Sequence, residues 1–268
     1  MIDKASCKVF IKTVQGAVMR TIFEVLRDVI FDSNLILSPT GLKIAAMDSA
    51  KCSLVYLKLH ADAFEEYHCT SEVRIGLNMA SIYKLIKSAG SHDTVTLFIE
   101  NESSHELGII VEKPEKSRTV FHLKLLDVDG ADISLPDFEF DSVVTLPSTT
   151  FQRLCRDMQN VAPLMTIESS GSTLTLSCTG DFASQTTVLG GGAQDDGDMV
   201  IETASSDIIR GTYSLKYLTL FGRASSLSNA VTLFIKKTHP LVIEYNAGSL
   251  GSLKFLLTPV LNEEDDDQ

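Results

Sequence analysis

The residues that could do chemistry begin with an acidic cluster near the middle of the chain. Asp127, Asp129 and Asp132 lie in the stretch LLDVDGADISLPDFEF, and three carboxylates at such spacing could hold a divalent cation. A cation held in this way would suit a phosphoester hydrolase, which stays a remote alternative. We favour a solvated acidic segment, because the stretch shows no helical period and carboxylates usually face water.

The other candidate catalytic patterns are incomplete. The glycine run at 190–192 lacks the spacing of a dinucleotide-binding loop, and no Walker lysine follows it. His105 and Glu106 begin a zinc-protease pattern that has no second histidine. Cys155 falls on the apolar side of a predicted helix, where a core position is the simpler interpretation. We therefore expect no catalytic residues, no bound metal and no cofactor, and predict that the chain is not an enzyme. No GxSxG elbow occurs, although a Ser–His–Asp triad brought together by folding stays open at this point.

Composition describes a folded, acidic protein. The chain has 268 residues, 44% of them hydrophobic, with 23 basic against 35 acidic residues and a net charge of -12. That balance argues against a nucleic-acid binder, although it does not say where the charges lie. The five cysteines form no CxxC pair, which favours a reduced, intracellular protein. The sequence shows no secretory signal and no membrane-spanning run, so we expect no membrane partner.

Positive charge is concentrated on four helix-like segments. Each segment carries two basic residues spaced three or seven apart, which places both side chains on one side of a helix. The pairs are Arg20 and Arg27, Lys84 and Lys87, Arg153 and Arg156, and Lys216 and Arg223. On a single helix such a pair is usually a solvated face, and neighbours such as Glu24 or Asp157 could neutralise it. Four such helices favour a shared surface that binds backbone phosphates without reading sequence.

The elements that must position these residues are short strands and four helices. Apolar periodicity predicts helices over 17–31 and 79–89, a third that begins with Ser148 or Thr149 as its N-cap and ends near 159, and a fourth over 214–224. The helices do not alternate one-to-one with strands, which disfavours a parallel sheet. We therefore predict an α+β fold with antiparallel sheets.

The chain contains an internal repeat. The pentapeptide VTLFI occurs at 95–99 and again at 231–235, each time after a helix-like segment that ends in small residues. Self-similarity at about half the chain length indicates a duplicated domain. We predict an N-terminal domain over 1–124, a connecting linker over 125–141, a C-terminal domain over 142–261 and a disordered acidic tail over 262–268.

Four longer segments carry a family resemblance that extends from Val9 to Val260. They are GLKIAAMDSAKCSLVYLKL, NMASIYKLIKSAGSHDTVTL, LPSTTFQRLCRDM and HPLVIEYNAGSLGSLKFLLTPV. In this order and spacing they resemble the proliferating cell nuclear antigen family of DNA sliding clamps, in which the chain would be a divergent member. The resemblance implies a DNA polymerase processivity factor built as a duplicated two-domain clamp, with antiparallel sheets outside and four helices on the inner face.

The resemblance also implies an assembly and a DNA-facing surface. Members close head-to-tail as homotrimeric rings around duplex DNA, and the eight basic residues above match the family's DNA-facing positions. The subunit contact would join one edge strand to another through Arg118, Val120 and Phe121 on one side and Phe182, Thr186 and Val188 on the other. Alternatives within the same fold are a subunit of a heterotrimeric checkpoint-type clamp and a clamp-like factor that works as monomer or dimer.

The family further implies a hydrophobic groove beside the linker. It takes short peptides from DNA polymerase, clamp loader, nuclease and ligase, and it places the protein in the nucleus or at a viral replication site. The matching positions are Met47, Lys51, Leu54, Ile133, Leu135, Pro136, Phe140, Pro240, Leu256, Thr258 and Pro259. Two departures distinguish this chain: Leu256 stands where the family usually has tyrosine, and no lysine occurs between Lys124 and Lys216.

Overall fold

A computed structural model describes residues 4–100, 105–115, 117–129, 133, 135, 139–190, 199–203, 207–237 and 239–260. The chain divides into two compact units. Unit 1 comprises Met1–Ser49, Val55–Ser134 and Asn246–Leu253, and unit 2 comprises Ala50–Leu54, Leu135–Tyr245 and Lys254–Gln268. Two short segments, 50–54 and 246–253, therefore belong to the unit that is built mainly from the other half of the sequence.

The described residues form four α-helices, eighteen strands and three short 3-10 helices. The α-helices are α1 (Gly16–Val29), α2 (Met79–Ile86), α3 (Ser148–Gln159) and α4 (Leu215–Phe221). The first nine strands are β1 (Cys7–Thr13), β2 (Asp32–Ser38), β3 (Gly41–Met47), β4 (Ser53–His60), β5 (Glu66–Cys69), β6 (Val73–Asn78), β7 (Thr94–Glu100), β8 (Glu106–Glu112) and β9 (Arg118–Lys124). The others are β10 (Ser142–Pro147), β11 (Leu164–Ser170), β12 (Thr173–Thr179), β13 (Ser184–Gly190), β14 (Val200–Thr203), β15 (Ile209–Ser214), β16 (Ala230–Ile235), β17 (Leu241–Asn246) and β18 (Gly251–Leu257). The 3-10 helices are Lys4–Ser6, Ala61–Ala63 and Gly222–Ser226.

Unit 1 contains a five-stranded sheet in the order β5-β1-β7-β8-β9, and further strands in the order β4-β3-β2-β6. Neighbours such as β1 and β7, or β2 and β6, run antiparallel. In β1, alternate residues such as Val9 and Ile11 are buried, which is the two-residue period of a strand with one face on the core. Antiparallel pairing of this kind confirms the prediction from the short strands.

The helices of unit 1 bury one face each. In α1 the buried residues Met19, Ile22 and Leu26 recur at three- and four-residue steps. The helix ends at Val29 rather than at the predicted residue 31, because Ile30 already adopts an extended conformation. Helix α2 begins after Asn78, whose side-chain oxygen accepts a hydrogen bond from the Ser81 amide at 2.9 Å.

Unit 2 contains a four-stranded sheet in the order β13-β12-β11-β15, and further strands in the order β14-β10-β16-β17-β18. Its helices again bury their apolar sides, through Phe151 and Leu154 in α3 and through Leu218 and Phe221 in α4. The Phe221 ring stacks on that of Phe255, with centroids 4.4 Å apart and planes 12° from parallel. This aromatic contact packs α4 against β18.

The internal repeat corresponds to equivalent strands. The two copies of VTLFI lie in β7 and β16. Strand β7 lies between β1 and β8, and β16 lies between β10 and β17. In both units the helix that follows the first of these three strands, α1 or α3, packs beside a second, shorter helix, α2 or α4. The predicted duplication is therefore confirmed.

Several predicted boundaries were wrong. Neither Ser148 nor Thr149 caps α3, because Ser148 is already inside the helix and its hydroxyl lies within hydrogen-bond distance of the Ser225 and Ser228 carbonyls. Helix α2 ends at Ile86, and α4 ends at Phe221 and continues as a 3-10 helix. The sequence did not indicate strands β5 and β15, because neither shows a clean apolar alternation. The predicted acidic tail lies outside the described residues, as do residues 191–198, which include most of the glycine run.

Candidate nucleic-acid and partner interfaces

In unit 1 the four predicted DNA-facing residues lie on or next to α1 and α2. Arg27, Lys84 and Lys87 are exposed, whereas Arg20 is half-buried. The Nε atom of Arg20 is buried and has no hydrogen-bond partner among the described residues. The guanidinium carbon of Arg27 lies 4.0 Å from the centroid of the Tyr83 ring, which is cation–π contact. The exposed sides of these two helices therefore carry positive charge while their opposite sides are buried.

In unit 2 all four predicted DNA-facing residues are exposed. Arg153 and Arg156 lie on α3, Lys216 lies on α4, and Arg223 lies in the 3-10 helix that follows it. Arg153 Nη1 lies 3.5 Å from the carboxylate of Asp157 one turn later in the same helix. With both side chains exposed, such an ion pair contributes at most about 1 kcal/mol. A phosphate could therefore displace it at small cost.

The predicted subunit-contact residues lie at two sheet edges. Strand β9 is the last strand of the five-stranded sheet, and it carries Arg118, Val120 and Phe121. Strand β13 is the end strand of the four-stranded sheet; it carries Thr186 and Val188, and Phe182 lies just before it. Phe182 is 78% exposed and Val188 is 58% exposed. Edge strands with exposed apolar side chains can add a strand from another chain.

Within unit 2, several predicted groove residues surround the last strand. Leu54 and Leu256 are each 8% exposed. The Thr258 amide and hydroxyl both donate to the Cys52 carbonyl, at 3.1 and 3.0 Å. The remaining predicted members in this unit differ in exposure: Lys51 and Thr258 are exposed, and Leu135, Phe140, Pro240 and Pro259 are half-buried. The Phe140 ring lies 5.1 Å from that of Phe234, an aromatic contact that the sequence did not indicate.

Within unit 1, the predicted groove residues Met47 and Ile133 line a pocket of about 220 Å³. Met47 is 53% exposed, so an apolar side chain is available to a partner. The pocket also includes Asn34 and Val128, and the Asn34 side-chain amide donates to the Val128 carbonyl at 2.9 Å. The predicted groove residue Pro136 lies outside the described residues.

The first part of the predicted linker is held against β6 by a close backbone approach. The Leu126 amide donates to the Gly76 carbonyl at 2.9 Å. A Cβ added to Gly76 would lie only 2.3 Å from the Leu126 carbonyl oxygen, so any other residue would push the segment away. The described acidic residues of this segment, Asp127 and Asp129, are exposed, while Asp132 lies outside the described residues.

The structure brings no metal-binding cluster together among the residues that it describes. Among the described residues, no group of three or more His, Cys, Asp or Glu side chains is placed to hold a metal ion. Cys155 is fully buried, and burial raises the pKa of its thiol, which disfavours the thiolate that a nucleophile requires. Every helix that the structure describes is too short or too polar to cross a lipid bilayer.

Comparison with known proteins identifies the family. Two family models match in succession, the N-terminal domain of proliferating cell nuclear antigen over residues 9–133 and its C-terminal domain over residues 134–260. A protein of Paramecium bursaria Chlorella virus 1, named "Probable DNA polymerase sliding clamp 1", is 38% identical over 258 residues, which are 94% of this chain and 97% of that protein. This chain belongs to the proliferating cell nuclear antigen family of sliding clamps.

A solved clamp structure supports the same fold. The crystal structure of proliferating cellular nuclear antigen from Entamoeba histolytica matches with a TM-score of 0.86, over 95% of this chain and 100% of that one. At 23% identity this likeness concerns the fold alone. It confirms the duplicated clamp fold with antiparallel sheets and four helices that the sequence predicted.

Membership in the clamp family settles the functional class. The chain is a sliding clamp of the proliferating cell nuclear antigen family, whose members are non-enzymatic processivity factors. The hydrolase alternative is therefore set aside.

The sequence did not indicate Tyr83 and Phe234 as members of these surfaces, because their contacts with Arg27 and Phe140 join residues far apart in the chain.

Proposed function

We propose that three copies of this chain close into a ring that encircles duplex DNA and slides along it. The ring would hold DNA polymerase near its template and so raise processivity through tethering at high effective concentration. Clamp loader, nuclease and ligase would bind through short peptides at the groove beside the linker, which we place at residues 125–141 between domains over 1–124 and 142–261.

The observation that carries this proposal is the repeated placement of basic residues on helices. Eight of the 23 basic residues of an acidic chain lie on or next to α1–α4, and all of them except Arg20 are exposed. An acidic surface elsewhere would repel DNA and leave these helices as its favourable contact. Contacts of this kind bind phosphates and not bases, so the ring could move along any sequence.

The two edge strands support closure into a ring. Strand β9 of one subunit would pair with β13 of the next, through the exposed residues Val120 and Val188. A contact between two different surfaces of the same chain produces a closed ring when the rotation that relates neighbouring subunits is a whole fraction of a full turn. Each edge would then be covered, which removes an aggregation hazard.

The partner groove would offer apolar side chains to a client peptide. In unit 1, Met47 and Ile133 line a pocket of about 220 Å³. A client helix that places an aromatic anchor among such residues would be a helix-in-groove interaction. With leucine at position 256, this wall offers no hydroxyl to the client. We expect the protein to act where DNA is replicated, in the nucleus or at a viral replication site.

Charge reversal tests the DNA contact. We expect Arg153→Glu with Arg156→Glu to weaken binding of the full chain to a short fluorescent duplex. The slope of log affinity against log salt concentration should also decrease by about one for each lost phosphate contact. Fluorescence anisotropy at several salt concentrations measures both effects. The matched control reverses the charges of Lys58 and Arg210, two exposed residues on strands, and should weaken DNA binding far less. Equal losses in the two variants would contradict a specific helix surface.

Light scattering across a dilution series tests the assembly. A molar mass near three chains that persists on dilution supports the homotrimer and should be unchanged in the Arg153→Glu, Arg156→Glu variant. A mass of one or two chains would overturn the homotrimer. It would favour a heteromeric clamp or a clamp-like factor without a closed ring.

A further inference from the structure

Arg27 is held differently from the basic residues of unit 2. It lies in the last turn of α1, and its guanidinium carbon is 4.0 Å from the centroid of the Tyr83 ring on α2. Its side chain is 35% exposed, whereas that of Arg153 is 64% exposed. Lys216, by contrast, has its ammonium 6.0 Å from the ring of its neighbour Tyr217, at the limit of such an interaction.

A ring face restrains a guanidinium without occupying its donors. When a guanidinium stacks on an aromatic ring, its flat face contacts the ring and its five N–H groups stay available in the plane. Arg27 Nε also lies 3.6 Å from a carboxylate oxygen of Asp28, which leaves the terminal nitrogens of Arg27 as the natural donors to a phosphate. The Asp157 carboxylate, in contrast, lies next to a terminal nitrogen of Arg153 and would compete with phosphate there.

We propose that Tyr83 is a positioning residue that holds the Arg27 guanidinium ready for a DNA phosphate. This inference rests on the proposed function, because it takes α1 and α2 to face DNA. A free arginine side chain loses rotamer freedom when it binds, and restraining it beforehand improves affinity by about two- to tenfold per side chain. Tyr83 therefore acts on DNA binding through Arg27, with no need to touch DNA itself.

A double-mutant cycle on the full chain tests the coupling between these two residues. The single variants are Tyr83→Leu and Arg27→Ala, and affinity for a short fluorescent duplex is measured by anisotropy at low salt. We expect Tyr83→Leu to weaken binding by about two- to tenfold in the wild-type background and to have no further effect in the Arg27→Ala background. Tyr83→Phe, which keeps the ring face, should bind like wild type.

The outcomes separate this inference from the proposed function. Equal losses from Tyr83→Leu in both backgrounds, or a loss with Tyr83→Phe equal to that with Tyr83→Leu, would overturn the positioning role. If Arg27→Ala leaves binding unchanged while the reversal of Arg153 and Arg156 weakens it, the inference fails and the proposed function stands. If neither change weakens binding, both fail. Should Tyr83→Leu not fold, Tyr83→Met supplies an unbranched side chain of similar length for the same cycle.

Discussion

The two units share a layout of strands and helices but stabilise their helix layers with different side chains. In unit 2, Phe221 of α4 stacks on Phe255, and Tyr245 meets the same Phe255 ring edge-on with centroids 6.3 Å apart. In unit 1 the corresponding helix α2 buries Met79, Ile82 and Ile86, none of which is aromatic. The two units therefore share the same order of strands and helices but pack their helices with different side chains.

The two units also differ in how they hold basic residues and tyrosine hydroxyl groups. Arg27 of unit 1 lies on an aromatic ring, and Arg153 of unit 2 lies beside a carboxylate. The Tyr67 hydroxyl of unit 1 donates to the Ser38 carbonyl at 2.7 Å, whereas the Tyr245 hydroxyl of unit 2 is buried without a hydrogen-bond partner among the described residues. Equivalent layers therefore need not respond equally to equivalent substitutions.

The largest expected effect comes from the aromatic stack of unit 2. Phe255→Ala should lower the free energy of unfolding by about 3–5 kcal/mol, because it removes a fully buried ring and leaves a cavity. Chemical denaturation at fixed protein concentration measures the change. The control is Phe31→Ala in unit 1, whose side chain is 79% exposed and whose loss should change stability by less than about 0.5 kcal/mol. Similar changes in the two variants would contradict the assigned role of the stack.

An intermediate effect should separate the hydroxyl groups of Tyr67, which is half-buried, and Tyr245, which is fully buried. Tyr67→Phe should cost about 1 kcal/mol or more, because it leaves the Ser38 carbonyl without its hydroxyl donor. Tyr245→Phe removes a hydroxyl that has no partner among the described residues, so it should be neutral or stabilising. Thermal unfolding of the two variants side by side provides the measurement. A larger loss for Tyr245→Phe than for Tyr67→Phe would reverse the comparison.

The smallest expected effect concerns the ion pair on α3. Asp157→Asn should raise affinity for a short duplex by less than about threefold, because an exposed pair one helical turn apart contributes only about 0.3–0.5 kcal/mol. Glu202→Gln on β14 removes a similar charge from an exposed strand position and serves as control. Weaker DNA binding by Asp157→Asn would mean that the carboxylate positions Arg153 for phosphate, as Tyr83 is proposed to position Arg27.

The elements that follow local patterns could be predicted from the sequence. The buried residues of α1 and α3 recur with the helical period, and the VTLFI repeat marked two equivalent strands. The basic pairs were visible for the same reason, since residues three or seven apart share a helix side. Prediction was poorer where local signals are weak, as in β5 and β15.

Contacts between distant residues could not be predicted in this way. Tyr83 lies 56 positions from Arg27, and nothing in either local sequence indicates that the two side chains meet. Ser148 looked like a helix cap from its position, but tertiary contacts with the Ser225 and Ser228 carbonyls take its hydroxyl. The groove residues were predicted through family resemblance and stay a prediction, because they come from separate strands and from the linker.

The close approach at Gly76 has a consequence for genetics. A larger side chain there would displace Leu126 and Val128, and Val128 lines the same pocket as Met47 and Ile133. The proposed function therefore predicts that a screen for alleles that lose partner recruitment but keep DNA binding returns changes at Gly76, a buried residue that would itself touch no partner. Such alleles would map to a strand interior, away from the surface where the phenotype arises.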